Sequence, residues 1–380
     1  MRTSELEFDL PRELIATEPA SPRDAARMLV VSRSDPARLE HRRVRDLPAY
    51  LAAGDRLVFN ATRVVPARLR GRNLDTGGKV QGLYLHDGGR DDQGRPVWIA
   101  LIKARRFRAG RRVELIDAIG ERTGVVLTLL ERTGDEDGAW RVAVDLPPGL
   151  GAETPTILDR VGLTPLPPYI LSARRERGLS DDDAHDRADY QTVFAAHAGA
   201  AGEGAPPDAG SVAAPTAGLH FTPELLARLG AMGVERAEVE LSVGAGTFKP
   251  VETDTLEAHP MHAEWCSLGA AGPAVLDPPR GRLIAVGTTS VRTLEAYAAL
   301  RDAADPLPAW MSTRLLIAPG YRWRTVQGVM TNFHLPHSTL LALVAGLFDT
   351  GMERVHEIYA AAIRERYRFF SFGDAMLVLP

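Results

Sequence analysis

The chain has 380 residues, of which 45% are hydrophobic and 25% charged, and its formal net charge is −4. This length predicts two domains or one large one, and the acidic balance excludes the overall basic signature of many nucleic-acid-binding proteins. No apolar run reaches the roughly 18 residues of a membrane span, and the N-terminus lacks the apolar core of a signal peptide. A single cysteine, Cys266, excludes an intrachain disulfide and a cysteine-based zinc site. We therefore expect a cytoplasmic enzyme or binding protein.

Basic residues are concentrated locally despite the acidic total. The stretch "KARRFRAGRR" (103–112) contains no acid, "RVVPARLRGR" (63–72) adds four arginines, and "SDDDAHDRAD" (180–189) is strongly acidic. A basic run is typical of a solvated surface, and it is also typical of a surface that follows a phosphate backbone. Both interpretations stay open at this point.

The first half of the chain predicts a small β-rich unit. Near the N-terminus, "LPAYLAAGD" predicts a short helix and "RLVFN" a buried strand. Turns separate five short strand-like runs between about 65 and 150: "GKVQGLYLH", "PVWIALIKA", "RRVELID", "GVVLTLLE" and "WRVAVDLP". Regularly spaced short strands favour an antiparallel barrel or sandwich. The low-complexity segment 195–210 predicts a surface loop.

From residue 211 onward, strand and helix patterns alternate. Helices are predicted at "PELLARLGAMG", "STLLALVAGLF" and "ERVHEIYAAAIRERY", and strands at "VERAEVELSVG" and "MSTRLLIAP". Such alternation predicts an α/β domain with a largely parallel sheet. The simplest organisation is a discontinuous α/β domain, residues 1–64 and 151–380, interrupted by an inserted β-barrel domain, residues 65–150.

Two glycine-containing turns are candidates for binding a ligand. In "AVGTTSVRTLEA" (285–296), a buried strand ends at Gly287, and Thr288, Thr289 and Ser290 begin a helix. The free N–H groups at such a helix start favour an anion, although plain helix capping is an equal alternative. In "SVGAGTFKP" (242–250) the third glycine of a dinucleotide fingerprint is missing. The turn therefore predicts at most a backbone that comes close to a nucleoside.

Polar residues also cluster in "APTAGLHF" (214–221), "TNFHLPHSTL" (331–340) and "HPMHAEW" (259–265). A strand at 262–264 would place His262 and Glu264 on one face, whereas a helix would pair His259 with His262. Neither geometry gathers all three as metal ligands, and the His-Glu-x-x-His spacing of zinc hydrolases is absent. A His–Glu acid–base pair is the functional interpretation that we prefer.

Ten stretches in chain order give the sequence a resemblance to a known family. They are "FDLPRELIATEPASPRDAARMLV" (8–30), "GDRLVFNATRVVPARLRG" (54–71), "LPPYI" (166–170), "DYQTVF" (189–194), "GSVAAPTAGLHFT" (210–222), "LSVGAGTFKPV" (241–251), "HPMHAEW" (259–265), "AVGTTSVRTLEA" (285–296), "TNFHLPHSTLLALV" (331–344) and "YRFFSFGDAM" (367–376). The chain resembles the S-adenosylmethionine:tRNA ribosyltransferase-isomerases of queuosine biosynthesis.

The resemblance implies a fold and a reaction. The fold is α/β, with a barrel-like catalytic domain and an inserted antiparallel β-barrel. The ribosyl part of S-adenosylmethionine is transferred to 7-aminomethyl-7-deazaguanine at the tRNA wobble position and isomerised, giving epoxyqueuosine, adenine and methionine. S-adenosylmethionine is a co-substrate, and no metal or other cofactor is implied.

The resemblance also suggests roles for particular residues. His262 and Glu264 are expected to transfer protons, and His220 and Arg292 are further catalytic candidates. Substrate contacts are expected at Gly218, Gly244, Gly246, Thr247, Thr288, Thr289, Ser290, Asn332 and His334. Contacts with tRNA are expected at Arg63, Arg68, Lys103, Arg105, Arg106 and Arg108.

Three positions depart from the usual family pattern. They are Ala61, Gln81 and Gln327, and the two glutamines stand where an acid is common. The departures leave two alternatives open, which are the same chemistry on a different acceptor such as a free deazapurine, and a catalytically silent RNA-binding homologue. The sequence leaves the oligomeric state open.

Overall fold

The structure is a computed structural model. It describes residues 1–35, 37–103, 108–134, 138–179, 182–195, 210–244, 246, 250–301, 303 and 306–380. Most of the predicted surface loop at 195–210 lies outside these residues.

The strands and α-helices of the described residues follow in chain order. The strands are β1 (Arg27–Ser32), β2 (Leu39–Arg43), β3 (Arg56–Asn60), β4 (Arg68–Asn73), β5 (Lys79–Arg90), β6 (Pro96–Lys103), β7 (Arg112–Ile116), β8 (Arg122–Arg132), β9 (Ala139–Asp145), β10 (Gly162–Leu163), β11 (Glu235–Leu241), β12 (Glu264–Ser267), β13 (Leu283–Val286), β14 (Met311–Thr313), β15 (Gly328–Asn332) and β16 (Ala375–Leu379). The helices are α1 (Thr154–Val161), α2 (Pro168–Glu176), α3 (Asp183–Asp189), α4 (Pro223–Ala231), α5 (Thr288–Arg301), α6 (Thr339–Ala345) and α7 (Met352–Arg364).

Strands β4 to β9 form a closed antiparallel barrel in the order β4-β5-β6-β9-β8-β7, because β7 also pairs with β4. In β8, Val125, Leu127 and Leu129 are buried in the barrel while alternate residues are more exposed, as expected for a strand with one inward face. The α/β class and the inserted antiparallel β-barrel are thus confirmed. Strand β4 was not among the strands predicted from the sequence, because its alternating arginines resemble a solvated basic run.

The barrel strands all fall within the predicted limits 65–150. The apolar core of the barrel also takes in Ile157, Leu158 and Val161 of α1, which follow the upper limit. The division into domains stays a prediction.

The other sheet has nine strands in the order β14-β12-β11-β3-β13-β15-β16-β1-β2. It is mixed rather than largely parallel, because antiparallel strands flank the parallel strands β11, β3, β13 and β15. All four residues of β13 are buried. Leu283 and Ala285 face the core that contains α5 to α7, whereas Ile284 and Val286 face the core that contains α4. Helices on both faces explain why this strand is continuously apolar.

The carboxyl ends of β3, β11, β13 and β15 lie at the same edge of the sheet, because these neighbours run parallel. Ligands of α/β sheets bind at this edge. The chain enters the barrel from the end of β3, and Ser211 rejoins it there through a parallel bridge to Val64.

Candidate active site

A cleft opens at the carboxyl ends of β11, β13 and β15. Its empty space amounts to about 640 Å³, a figure that includes space open to solvent. Among the residues that line it are Tyr169, Thr216, Val243, Thr289, His334 and Phe370. Four residues predicted for substrate binding or helix capping line this cleft together: Thr288, Thr289, Asn332 and His334, next to Gly287.

The start of α5 forms one wall of the cleft. Gly287 has a φ of +90°, a left-handed conformation that suits glycine, and the first helical hydrogen bond runs from Val291 N to Gly287 O. The Oγ1 of Thr289 is buried and has no hydrogen-bond partner within the described chain. Ser290 instead donates from Oγ to Val286 O at 2.8 Å. The helix start therefore offers backbone N–H groups and one free hydroxyl to a ligand.

Arg292 lies one turn further along α5, on the same helix side as Thr288 and Thr289. Its buried guanidinium donates from Nη1 to the buried carboxylate of Glu264 and from Nε to Leu315 O at 3.2 Å. Its Nη2 is buried and has no partner among the residues that the structure describes. Glu264 thus holds Arg292 in place behind the cleft wall.

His262 is in a different environment from Glu264. The strand β12 begins only at Glu264, and His262 is exposed in the preceding loop. Its ring packs against Gly246, where an added Cβ would come within 2.3 Å of the ring's Cδ2 atom, so a larger residue at this position would displace the ring. Gly244 is exposed and has open space around it, and Thr247 lies outside the described residues.

His220 and Gly218 belong to a buried 3-10 helix, Thr216–His220. The two ring nitrogens of His220 lie 3.1 Å from Ala217 O and 3.0 Å from Gly373 O. Burial lowers the pKa of His220, although its backbone hydrogen bonds act in the opposite direction. Gly218 packs closely on Thr192, since an added Cβ would lie 3.1 Å from its Cγ2. Both residues lie behind the cleft wall that Thr216 forms.

Asn332 joins two walls of the cleft. Its Oδ1 accepts from Thr216 Oγ1 at 2.9 Å, and its Nδ2 donates to Phe370 O at 3.0 Å. Phe370 has a φ of +74°, which is uncommon for a bulky residue and signals local strain. Asn332 therefore holds a strained loop at the edge of the cleft.

His334 presents a neutral imidazole to the cleft. Burial lowers its pKa to about 4, and its Nε2 lies 2.9 Å from Thr331 Oγ1. Its backbone N–H donates to the hydroxyl of Tyr359 at 2.9 Å. The Nδ1 atom has no partner in the described part of the chain, so it is available to a ligand.

Sequence reasoning gave no role to Tyr169, Ser371 or Thr216, which also line the cleft. The hydroxyl of Tyr169 and Ser371 Oγ are 2.6 Å apart, and burial raises the pKa of Tyr169. Tyr169 lies in "LPPYI" and Ser371 in "YRFFSFGDAM", and both stretches matched the family pattern. Neither stretch indicates that the two residues contact each other.

The basic residues proposed for RNA are spread over the barrel and its entry. Arg63, Lys103 and Arg108 are exposed. Arg68 donates from Nε to Thr164 O at 3.0 Å, which ties β4 to the segment after α1. Arg105 and Arg106 lie outside the described residues.

The three sequence departures lie in different places. Ala61 is buried beside β3 in the core that contains α4. Gln81 is exposed on β5 of the barrel. Gln327 precedes β15 at the end of the sheet opposite the cleft, where its Oε1 accepts from Leu283 N at 2.9 Å.

Within the ranges that the structure describes, no group of three or more His, Cys, Asp or Glu is arranged to hold a metal ion. No helix in the same ranges is long and apolar enough to cross a membrane.

Fold and cleft together define an α/β protein with an inserted β-barrel and a ligand site at the carboxyl ends of parallel strands. The family model described as "Queuosine biosynthesis protein" matches residues 3–378. The chain therefore belongs to this family, as its ordered motifs predicted.

Similar proteins span the whole chain. The S-adenosylmethionine:tRNA ribosyltransferase-isomerase of Sphingopyxis alaskensis is 46% identical, covering 100% of this chain and 97% of the relative. That of Symbiobacterium thermophilum is 44% identical, with 100% of both covered. The crystal structure of the S-adenosylmethionine tRNA ribosyltransferase of Thermotoga maritima is 32% identical, with a TM-score of 0.50, covering 99% of this chain and 100% of that one.

Proposed function

We propose that this chain is an S-adenosylmethionine:tRNA ribosyltransferase-isomerase. It transfers the ribosyl part of S-adenosylmethionine to 7-aminomethyl-7-deazaguanine at the wobble position of tRNA and isomerises it to epoxyqueuosine, with release of adenine and methionine. The observation that carries the proposal is a family match over residues 3–378, in a chain whose cleft brings together Thr288, Thr289, Asn332 and His334.

In this proposal, S-adenosylmethionine lies in the cleft against the start of α5. The free N–H groups of Thr288 and Thr289, together with Nη2 of Arg292, suit the carboxylate of its methionine part. The unpartnered Thr289 Oγ1 and Arg292 Nη2 support this arrangement. Gly244 and Gly246, which follow β11, lie near the nucleoside, and Thr247 is proposed for the same contact from the sequence alone.

The chemistry requires a base and an acid in a site that excludes water. The sulfonium acidifies its neighbouring 5′ carbon, so a base removes a proton there, and adenine leaves as it gains a proton. We assign this proton transfer to His262 and Glu264. Glu264 lies beside α5 through its pairing with Arg292, and His262 lies two residues before it in the chain.

The acceptor base lies near Asn332 and His334. A neutral His334 accepts or donates one hydrogen bond at Nδ1, which fits the edge of a base. Asn332 acts by holding the loop of Phe370, and His220 by holding Gly373 of the same loop. A free deazapurine acceptor has no observation in its favour, since Gln327 is remote from the cleft.

The test is adenine release, measured by chromatography. The protein is mixed with S-adenosylmethionine and an anticodon stem-loop that carries 7-aminomethyl-7-deazaguanine. We expect adenine only with the modified RNA, an unchanged rate with a chelator, and no release by the His262→Ala or Glu264→Ala variant while both still fold. No release by the wild-type chain with this RNA would refute the proposal, and full activity of both variants would remove their assignment.

A further inference from the structure

Trp265 is unusual among the exposed apolar side chains of this protein. It is 45% exposed, and within the described residues the other large hydrophobic side chains that are exposed are aliphatic: Leu74, Ile119, Leu179 and Met232. Aromatic rings, and tryptophan in particular, are enriched where proteins bind partners. No hydrogen bond of the indole N–H is present within the described part of the chain.

The backbone holds Trp265 rigidly. It lies in β12 between two paired strands, with Ser312 of β14 directly opposite on one side. On the other side, its carbonyl accepts from Ser242 N at 2.9 Å, which continues the pairing with β11. A ring on a doubly paired strand loses little conformational freedom when it binds a partner.

The position of Trp265 connects the cleft and the barrel. Its neighbour Ser242 precedes Val243, which lines the cleft. The carbonyl of Val243 accepts from Val212 N at 3.1 Å, and Val212 belongs to the apolar core of the barrel. The backbone of Trp265 is therefore linked through Ser242 and Val243 to the cleft, and through Val212 to the barrel.

The charges around Trp265 indicate what kind of group it receives. Arg314 is exposed just after β14, His262 is exposed just before β12, and the half-buried Glu240 lies on β11 two residues from Ser242. This mixture of signs is not the uniformly basic surface that follows phosphates. An uncharged planar group with a π-face fits it better, and nucleic-acid bases stack on such rings whatever their sequence.

We propose that Trp265 is a stacking platform for an unpaired base of the RNA substrate, next to the base that enters the cleft. The inference rests on the proposed function, because it takes tRNA as the substrate. The anticodon loop offers unpaired bases on both sides of its wobble position, so stacking on Trp265 would hold the loop while the modified base reaches His334.

The experiment uses the full chain and the modified anticodon stem-loop. RNA affinity is measured by titration of a fluorescent stem-loop, and intrinsic tryptophan emission is recorded in parallel with unlabelled RNA. The variants are Trp265→Ala and Trp265→Phe. The matched control is Met232→Ala, which removes an exposed apolar side chain at the end of α4.

We expect Trp265→Ala to weaken RNA binding by about tenfold or more, as loss of one base stack does, with unchanged affinity for S-adenosylmethionine and an unchanged melting temperature. Trp265→Phe keeps an aromatic face, so it should bind RNA within about threefold of wild type while losing the RNA-dependent quenching of emission. Met232→Ala should match wild type in every measurement.

The inference and the proposed function fail in distinguishable ways. If wild type binds RNA and releases adenine while Trp265→Ala binds RNA equally well, the stacking role is wrong and the proposed function stands. If Trp265→Phe is as weak as Trp265→Ala, an aromatic face is not what the RNA contacts, which also overturns the inference. If the wild-type chain binds no RNA, the proposed function and the stacking role are both wrong.

Discussion

Glu264 and Arg292 are a buried ion pair, and a variant of one partner leaves the other charge in the interior without compensation. We expect Glu264→Leu to lower the free energy of unfolding by about 3 kcal/mol, because an unpaired buried charge is strongly unfavourable. The double variant Glu264→Leu/Arg292→Met should regain most of this loss, because two apolar side chains replace two charges. Urea denaturation of the three proteins measures both effects.

The same double variant separates stability from activity. If the pair takes part in substrate binding or in proton transfer, the double variant folds well and yet releases no adenine. A folded double variant with wild-type activity would show that the pair serves only the structure. A double variant as unstable as the single one would contradict the charge argument itself.

His334 should make stability depend on pH in a particular window. Its folded pKa is lowered to about 4, below the value of about 6.5 in an unfolded chain, so the unfolded state binds the extra proton first. The stabilising contribution is therefore fully present above about pH 6.5 and declines as the pH falls toward 4. Between pH 7 and 5 we expect a loss of about 1 kcal/mol from this residue, since the cleft is partly hydrated.

The variant His334→Gln isolates that contribution, because glutamine keeps a hydrogen-bonding group near Thr331 but does not titrate. The comparison is the difference in unfolding free energy between wild type and variant at pH 7 and at pH 5. The difference should shift in favour of the variant at pH 5. Equal differences at both pH values would mean that His334 titrates normally in the folded protein.

Residue types and short spacings predicted several cleft residues but not their partners. Thr288, Thr289, Asn332 and His334 stand out because each lies at, or just after, the carboxyl end of a buried strand. Their contacts come from distant parts of the chain, as with Thr216 and Asn332, and no local period encodes such a pairing. Strand geometry also misled the interpretation of His262, because β12 starts two residues later than that interpretation required.

At the scale of elements, Glu295 of α5 holds the loop that leads into β15. Its fully buried carboxylate accepts from the backbone N–H groups of Arg324, Thr325 and Val326 at 2.9 to 3.0 Å. The hydroxyl of Tyr321 donates to it as well, at 3.1 Å. One side chain thus replaces the missing backbone partners of a whole turn.

We expect Glu295→Gln to lower the free energy of unfolding by about 2 kcal/mol or more, because an amide nitrogen would then face backbone donors. The matched control is Glu224→Gln at an exposed position of α4, which should change stability by less than about 0.5 kcal/mol. Amide hydrogen exchange at 324–326 should accelerate in the first variant only. Equal midpoints for both variants in urea would refute the role of Glu295.

Elements marked by a local sequence signal were predictable, and elements defined by their neighbours were not. The strand β13 and the helix α5 follow from an apolar run, a glycine and a helix start in sequence. The strand β4 carries arginine at alternate positions and is recognisable only because β5 and β7 pair with it. The antiparallel strands that flank the parallel ones in the large sheet could not be predicted for the same reason, since strand order is a property of the assembled fold.

For the whole molecule, the barrel should contribute salt-sensitive RNA affinity beside the cleft. Lys103 and Arg108 are exposed, and each phosphate contact adds about one unit to the slope of log Kd against log salt concentration. We expect Lys103→Gln and Arg108→Gln each to reduce that slope by about one unit, without altering the affinity for S-adenosylmethionine.

The control for the barrel variants is Arg364→Gln, which removes an exposed charge from the last turn of α7, on the α/β part of the molecule. Its slope should equal that of wild type. If all three variants share one slope, RNA does not follow this side of the barrel. If Arg364→Gln alone changes the slope, the RNA runs over the opposite face.

Strand β16 follows every other strand of the large sheet in the chain, yet it lies between β15 and β1. During translation, β1 cannot pair with β16 until that last strand has been synthesised. The barrel strands are contiguous in the chain, so they can pair as soon as they emerge. A newborn chain would carry a finished barrel beside an unfinished cleft, exposing apolar strand faces in the meantime. Synthesis of the last strand thus sets the earliest time at which the sheet that carries the cleft can be complete.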